Sequence, residues 1–194
     1  MKEKILNLLK SIDRPGIDKL TDYLIKSDFF TAPASTKYHG NFEGGLAEHS
    51  YNVYELFRFK NEQYNLELPK ETVIIAALLH DICKTDFYKK GIRNVKQGKK
   101  LNYRGQEVDN WVEKEVWEVE DSYPIGHGEK SVILLQQFMN LTFEEILLIR
   151  WHMGGFEGKE NSMTMYNAYK MYPACVALHT ADMEASYFLE EIKG

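Results

Sequence analysis

From the N-terminus, apolar residues recur at helical spacing, break off and resume. Lys2 to Ile12 and Ile17 to Lys26 each set Ile and Leu three and four residues apart, with the turn Asp13-Arg14-Pro15-Gly16 between them. This predicts a pair of leading helices within residues 1–28. Phe29 to Gly45 has no such period. It contains Pro33, small residues, Tyr38-His39-Gly40-Asn41 and the pair Gly44-Gly45, and reads as a loop feeding a helix. From Leu46 to Phe59, His49, Val53 and Leu56 stand at i, i+4 and i+7, which turns His49 toward the interior. Pro69 opens a helix expected to run to Lys84, along which Val73, Ala76 and Ala77 lead to His80 and Asp81. Thr142 and Glu145 have capping-box spacing for a helix ending near His152. A last helix, over Tyr172 to Ile192, carries His179 and Asp182 on one face.

Between Phe87 and Pro124 the helical period stops. Residues 89–104 hold Lys89, Lys90, Arg93, Lys96, Lys99, Lys100 and Arg104 without an acidic residue, and the stretch to Asp121 is rich in Glu and Asp. Gln97-Gly98 offers a turn, and Trp111, Val112, Val116, Trp117 and Val119 suggest short strands. The expectation is a β-hairpin or three-stranded flap over residues 88–121, inserted into an otherwise all-α bundle that forms one domain over residues 1–194. Such an insert either solvates itself through cross-strand ion pairs or steers a substrate.

Composition narrows the class. With 194 residues and 44% apolar content, the chain can build a core without disulfide staples. The longest apolar run, Val73 to Leu79, is far short of the roughly 20 residues that span a bilayer, and charges interrupt the N-terminal apolar residues. A soluble cytoplasmic protein is expected, with no membrane partner. Cys83 and Cys175 both fall inside apolar helical patterns as small hydrophobes, so neither a disulfide framework nor a thiolate metal knuckle is available. A net charge of -5 argues against an extended nucleic-acid surface but leaves small anionic substrates and strand ends open.

The six histidines carry the chemistry. His49, His80-Asp81, His127, His152 and Asp182 follow one another as H…HD…H…H…D. Left separate, these buried polar groups would each need a partner, whereas shared coordination satisfies them together. Mixed His and Asp ligands suit first-row divalent ions and leave positions open for water, which points to catalysis rather than a closed structural site. The expected complement is two ions of Mn, Fe, Ni, Co or Zn, with Asp81 placed to bridge them.

The runs Gly44-Gly45-Leu46-Ala47-Glu48-His49, Leu78-Leu79-His80-Asp81-Ile82-Cys83-Lys84 and Leu178-His179-Thr180-Ala181-Asp182 resemble the HD superfamily of metal-dependent phosphohydrolases. The resemblance implies that His49, His80, Asp81 and Asp182 hold a first metal, and that His127 and His152 serve a second. It implies hydrolysis of a phosphomonoester or phosphodiester of a nucleotide or short oligonucleotide through a metal-activated water. Asp81 and Lys84 would then be catalytic. Lys84 and His39 would meet the substrate, His39 through a phosphate contact or a proton for the leaving oxygen. His179, three residues before Asp182, is expected to orient a ligand from behind. No Gly-Tyr-Pro run follows the metal motifs, so the cyclic-di-GMP phosphodiesterase branch is not supported. Phe30 to Ser35 with His39, Gly44-Gly45 and His49 is most similar to the HD domain of bacterial 3′-to-5′ exoribonucleases, but without the oligonucleotide-binding domain those enzymes carry. The other reading is a non-catalytic HD module that binds a nucleotide or a protein partner.

Overall fold

The computed structural model describes residues 1–190. Two helices, α1 (Lys2–Lys10) and α2 (Ile17–Lys26), lead into the long α3 (Gly45–Gln63) and then α4 (Lys70–Leu79). A hairpin of β1 (Tyr88–Leu101) and β2 (Glu107–Val119) follows, then α5 (His127–Gln136), α6 (Phe143–Arg150), α7 (Ser162–Met171) and α8 (Ala174–Glu184). The architecture is therefore mostly helical with a two-stranded antiparallel sheet, rather than strictly all-α.

The central element is α4. Every residue from Thr72 to Leu79 is buried, as expected of a helix that is apolar all round, and α1, α3 and α6 pack against it. The helix stops at Leu79 instead of running to Lys84. His80 is its C-cap, Asp81 leaves helical geometry at φ -105° and ψ 18°, and a 3₁₀ turn covers Ile82–Lys84. The break lets two adjacent side chains reach one centre.

Arg14, in the predicted turn after α1, ties the periphery to this core. Its guanidinium donates to both oxygens of Glu145 at 2.7 and 3.0 Å and to Glu71 at 2.8 Å. Glu145 also accepts from Thr72 Oγ1 at 3.0 Å and closes the capping box with Thr142 at the start of α6. The Gly44-Gly45 pair allows the loop before α3 to fold back. Gly44 has φ +84°, and a Cβ on Gly45 would stand 2.0 Å from the Gly40 carbonyl oxygen.

Several boundaries differ from the periodicity. Of the two expected forms the insert takes the hairpin, with two long strands in place of short ones, paired from Tyr88↔Val119 to Leu101↔Glu107. Its reversal lies at Asn102 to Gln106, where Asn102 Oδ1 accepts from the amides of Arg104 and Gln106 and Gly105 takes φ +74°. Gln97-Gly98 instead occupies an irregularity between Lys96 and Lys99. That turn chemistry and a bulge both favour a glycine with positive φ, so the sequence motif does not separate them. The last helix is also shorter: α8 ends at Glu184, a π-helical turn covers Ala185–Leu189, and Ile192 lies outside the described residues. No helix among the described residues is long and apolar enough to cross a membrane.

Candidate metal centre

Five helices or helix ends deliver the cluster. His49 comes from the first half of α3, His80 and Asp81 from the broken end of α4, His127 from the first residue of α5, and Asp182 from α8. His152 stands just beyond the end of α6. His49 Nε2 lies 3.2 Å from His80 Nε2, 3.2 Å from Asp182 Oδ1 and 3.6 Å from Asp81 Oδ2. On the other side of Asp81, Oδ1 meets His127 Nε2 at 2.5 Å and His152 Nε2 at 3.5 Å. The carboxylate of Asp81 is thus shared between two pairs of imidazoles, with only 3% of its side chain exposed.

The outward-facing nitrogens are engaged as well. His80 Nδ1 donates to the Ala77 carbonyl at 2.8 Å and His152 Nδ1 to the Ile149 carbonyl at 2.6 Å. His49 Nδ1 donates to Glu190 Oε1 at 2.9 Å, and His127 Nδ1 lies 3.3 Å from Cys83 Sγ. In each ring Nδ1 is held by the scaffold and Nε2 is left for the interior, the arrangement that fixes tautomer and orientation in metal-binding histidines. His152 Nε2 is buried without a hydrogen-bond partner, a cost that metal coordination would remove. Ligand atoms of His49, His80 and Asp81, of Asp81, His127 and His152, and of His80, His152 and Asp182 each lie within 4.8 Å of one another. Asp81 belongs to two of these groups, so the donor set fits one or two divalent ions.

Without a metal, protons and carboxylates balance one another. Burial lowers the His49 pKa, but hydrogen bonds to Asp182 and Glu190 outweigh it and raise the value to about 10. His127 is likewise raised to about 9, because Asp81 outweighs burial. Burial opposes ionisation of Asp81 and Asp182, yet Lys84 and the histidines around Asp81, and His49 beside Asp182, hold both carboxyls well below the usual range.

The remaining candidates take distinct places. Lys84 Nζ donates to Asp81 Oδ2 at 2.6 Å and is largely buried, so it is already paired within the cluster. His39 stacks on His49 with ring centroids 4.9 Å apart, and its Nε2 is buried without a partner. Burial, with His49 and Lys84 nearby, pushes the His39 pKa down to about 4. His179 does not bond to Asp182; its Nδ1 donates to the His152 carbonyl at 2.7 Å and so braces the backbone that carries a cluster histidine. Gly154 makes room for it, since a Cβ there would stand 2.4 Å from His179 Nε2.

Two contributors went unread in the sequence. Cys83 is buried as a small hydrophobe should be, but its sulfur also touches His127. Glu190 follows the apolar run Tyr187-Phe188-Leu189, and nothing local marks it as a partner of a residue on α3. A cavity of about 430 Å³ lies beyond Cys83, lined among others by Tyr23, Phe87, Tyr123 and Lys130. No cluster histidine or aspartate lines it.

The HD domain family profile matches residues 46–184, well over half of the chain and the whole span from His49 to Asp182. The chain belongs to the HD domain family. Over an 87-position alignment that takes in 43% of this HD protein, it is 34% identical to the 3′-5′ exoribonuclease YhaM of Geobacillus sp. (strain WCH70), 26% of which is covered. Over a 90-position alignment that again takes in 43% of the chain, it is 34% identical to the dihydroneopterin 2′,3′-cyclic phosphate phosphodiesterase of Methanocaldococcus jannaschii, 34% of which is covered. The HD protein thus spans about a quarter to a third of the length of these curated relatives. No solved structure gives a significant match.

Proposed function

We propose that this HD protein is a metal-dependent phosphohydrolase acting on a phosphomonoester or phosphodiester of a nucleotide or short oligonucleotide. The observation that carries the reading is the convergence of four imidazole Nε2 atoms on one buried aspartate, each with Nδ1 held elsewhere. Two relatives whose names specify an exoribonuclease and a cyclic-phosphate phosphodiesterase supply the substrate class.

In this reading His49, His80, Asp81 and Asp182 hold one divalent ion, and Asp81, His127 and His152 hold a second. Such ions supply a Lewis acid for phosphoryl oxygens and a water of lowered pKa. The chain's own residues do the rest. Asp81 turns Oδ2 toward His49 and Oδ1 toward His127, so it would serve both ions. Lys84 stays protonated through neutral pH, because its contact with Asp81 outweighs burial and raises its pKa. A phosphate oxygen entering beside Asp81 meets that ammonium. His39, held neutral at physiological pH, suits a hydrogen bond to the substrate better than delivery of a proton to the leaving oxygen.

The test is a panel of phosphomonoesters, linear phosphodiesters and 2′,3′-cyclic phosphates, assayed after reloading metal-free protein with Mn²⁺. Asp81→Ala is expected to lose more activity than the roughly 10- to 100-fold typical of an outer hydrogen-bond partner. Full activity in Asp81→Ala would remove the mechanism. Metal binding with no cleavage of any phosphoester would favour a nucleotide- or protein-binding module instead.

A further inference from the structure

Glu190 lies beyond the segment that matches the HD family, residues 46–184, yet its carboxylate is built into the back of the cluster. Its side chain is 1% exposed, and Oε1 accepts from His49 Nδ1 at 2.9 Å and from Asn52 Nδ2 at 3.3 Å. Its second oxygen is buried without a hydrogen-bond partner. A carboxylate in such a place is costly unless an adjacent group compensates its charge; of its two hydrogen-bond partners, His49 can carry a charge and Asn52 cannot. The π-helical turn Ala185–Leu189 brings the chain to this point after α8; such turns are frequent at functional sites.

The other three cluster histidines are held differently. His80 and His152 donate Nδ1–H to main-chain carbonyls, and His127 faces a cysteine sulfur. Among the described cluster residues, His49 is the one whose Nδ1 meets a carboxylate. A carboxylate behind a metal-binding imidazole fixes its tautomer and raises its basicity, so Nε2 of His49 is the best electron donor of the four.

We propose that Glu190 is a positioning residue that orients and polarises His49 through Nδ1, making the His49 side of the cluster the tighter metal position. This rests on the metal-centre reading above. The test is calorimetric titration of MnCl₂ into metal-free protein, comparing wild type with Glu190→Gln, which keeps the size but loses the charge, and with Glu190→Asp, which keeps the charge. Glu190→Gln is expected to weaken the tightest site by about 10- to 100-fold, with Glu190→Asp falling between it and wild type. An unchanged Kd in Glu190→Gln overturns the inference even if the metal-free protein melts earlier, because a purely structural tie would alter only the melting point. If Glu190→Gln does not fold, Glu190→Asp is read by the same criterion, with a smaller loss expected because the shorter side chain draws the carboxylate away from His49 Nδ1. Failure of the wild type to bind Mn²⁺ would remove the metal-centre reading itself and is distinguishable from both results.

Discussion

Each cluster imidazole offers two nitrogens, and in all four the fold engages Nδ1 and turns Nε2 toward Asp81 or Asp182. That choice has a consequence in pH. Raised pKa values of about 10 for His49 and about 9 for His127, against 6.5 for the ordinary side chain, mean that both rings carry a proton in the metal-free protein at neutral pH. Their contribution to stability is complete below about 6.5 and is lost as pH rises through about 9 to 10. A metal at Nε2 must displace those protons. Titrations near pH 8 in buffers of different ionisation heat should therefore show about two protons released per fully loaded molecule, and apparent affinity should tighten between pH 6.5 and 9. Binding that releases no protons would contradict this account of the rings. Residue type and inward orientation were visible in the sequence for His49 and His80; which nitrogen faces the centre was not, because backbone carbonyls and a remote glutamate decide it.

At the scale of elements, the hairpin separates from the helical body. Lys89, Lys90, Arg93, Lys96 and Lys99 pair with Glu120, Glu115, Glu118, Asp109 and Glu107, all exposed lysines or arginine against acids of the returning segment. Lys90 also lies over the Trp117 ring, 5.3 Å from its centroid. These contacts account for the charge segregation without a substrate, though each exposed pair contributes only about 0–1 kcal/mol. Replacing residues 91–116 with an Asn-Gly turn should leave the far-UV helical signal and the thermal midpoint of the body nearly unchanged. Collapse of the helical signal would show that the hairpin supports the core. Periodicity located α1, α2, α3, α6 and the hairpin, since each depends on neighbours a few residues apart. It overran α4 and α8, because packing at Asp81 and the chain's approach to His49 override local preference; it misplaced the hairpin turn, because Gln97-Gly98 suits a bulge as well as a turn; and it missed α7.

For the whole molecule, the candidate metal centre is where five helices or helix ends meet, so loading it should stabilise the fold. At a free Mn²⁺ concentration 100 times the Kd, the expected gain is about 2.7 kcal/mol. For a chain of this size that corresponds to an upward shift of about 5–10 °C in thermal midpoint, read by calorimetry with and without metal. A midpoint insensitive to Mn²⁺ would argue that the cluster is held closed by its own ion pairs alone. The sequence by itself determined the helical class, the inserted hairpin and the H…HD…H…H…D set, because periodicity and residue chemistry are written in short stretches of chain. The tertiary structure decided which nitrogens converge, that Lys84 is paired with Asp81, that His179 braces His152, and that Glu190 stands behind His49 across 141 residues of chain. Those distances arise only when separate helices pack around α4, and no local pattern records them.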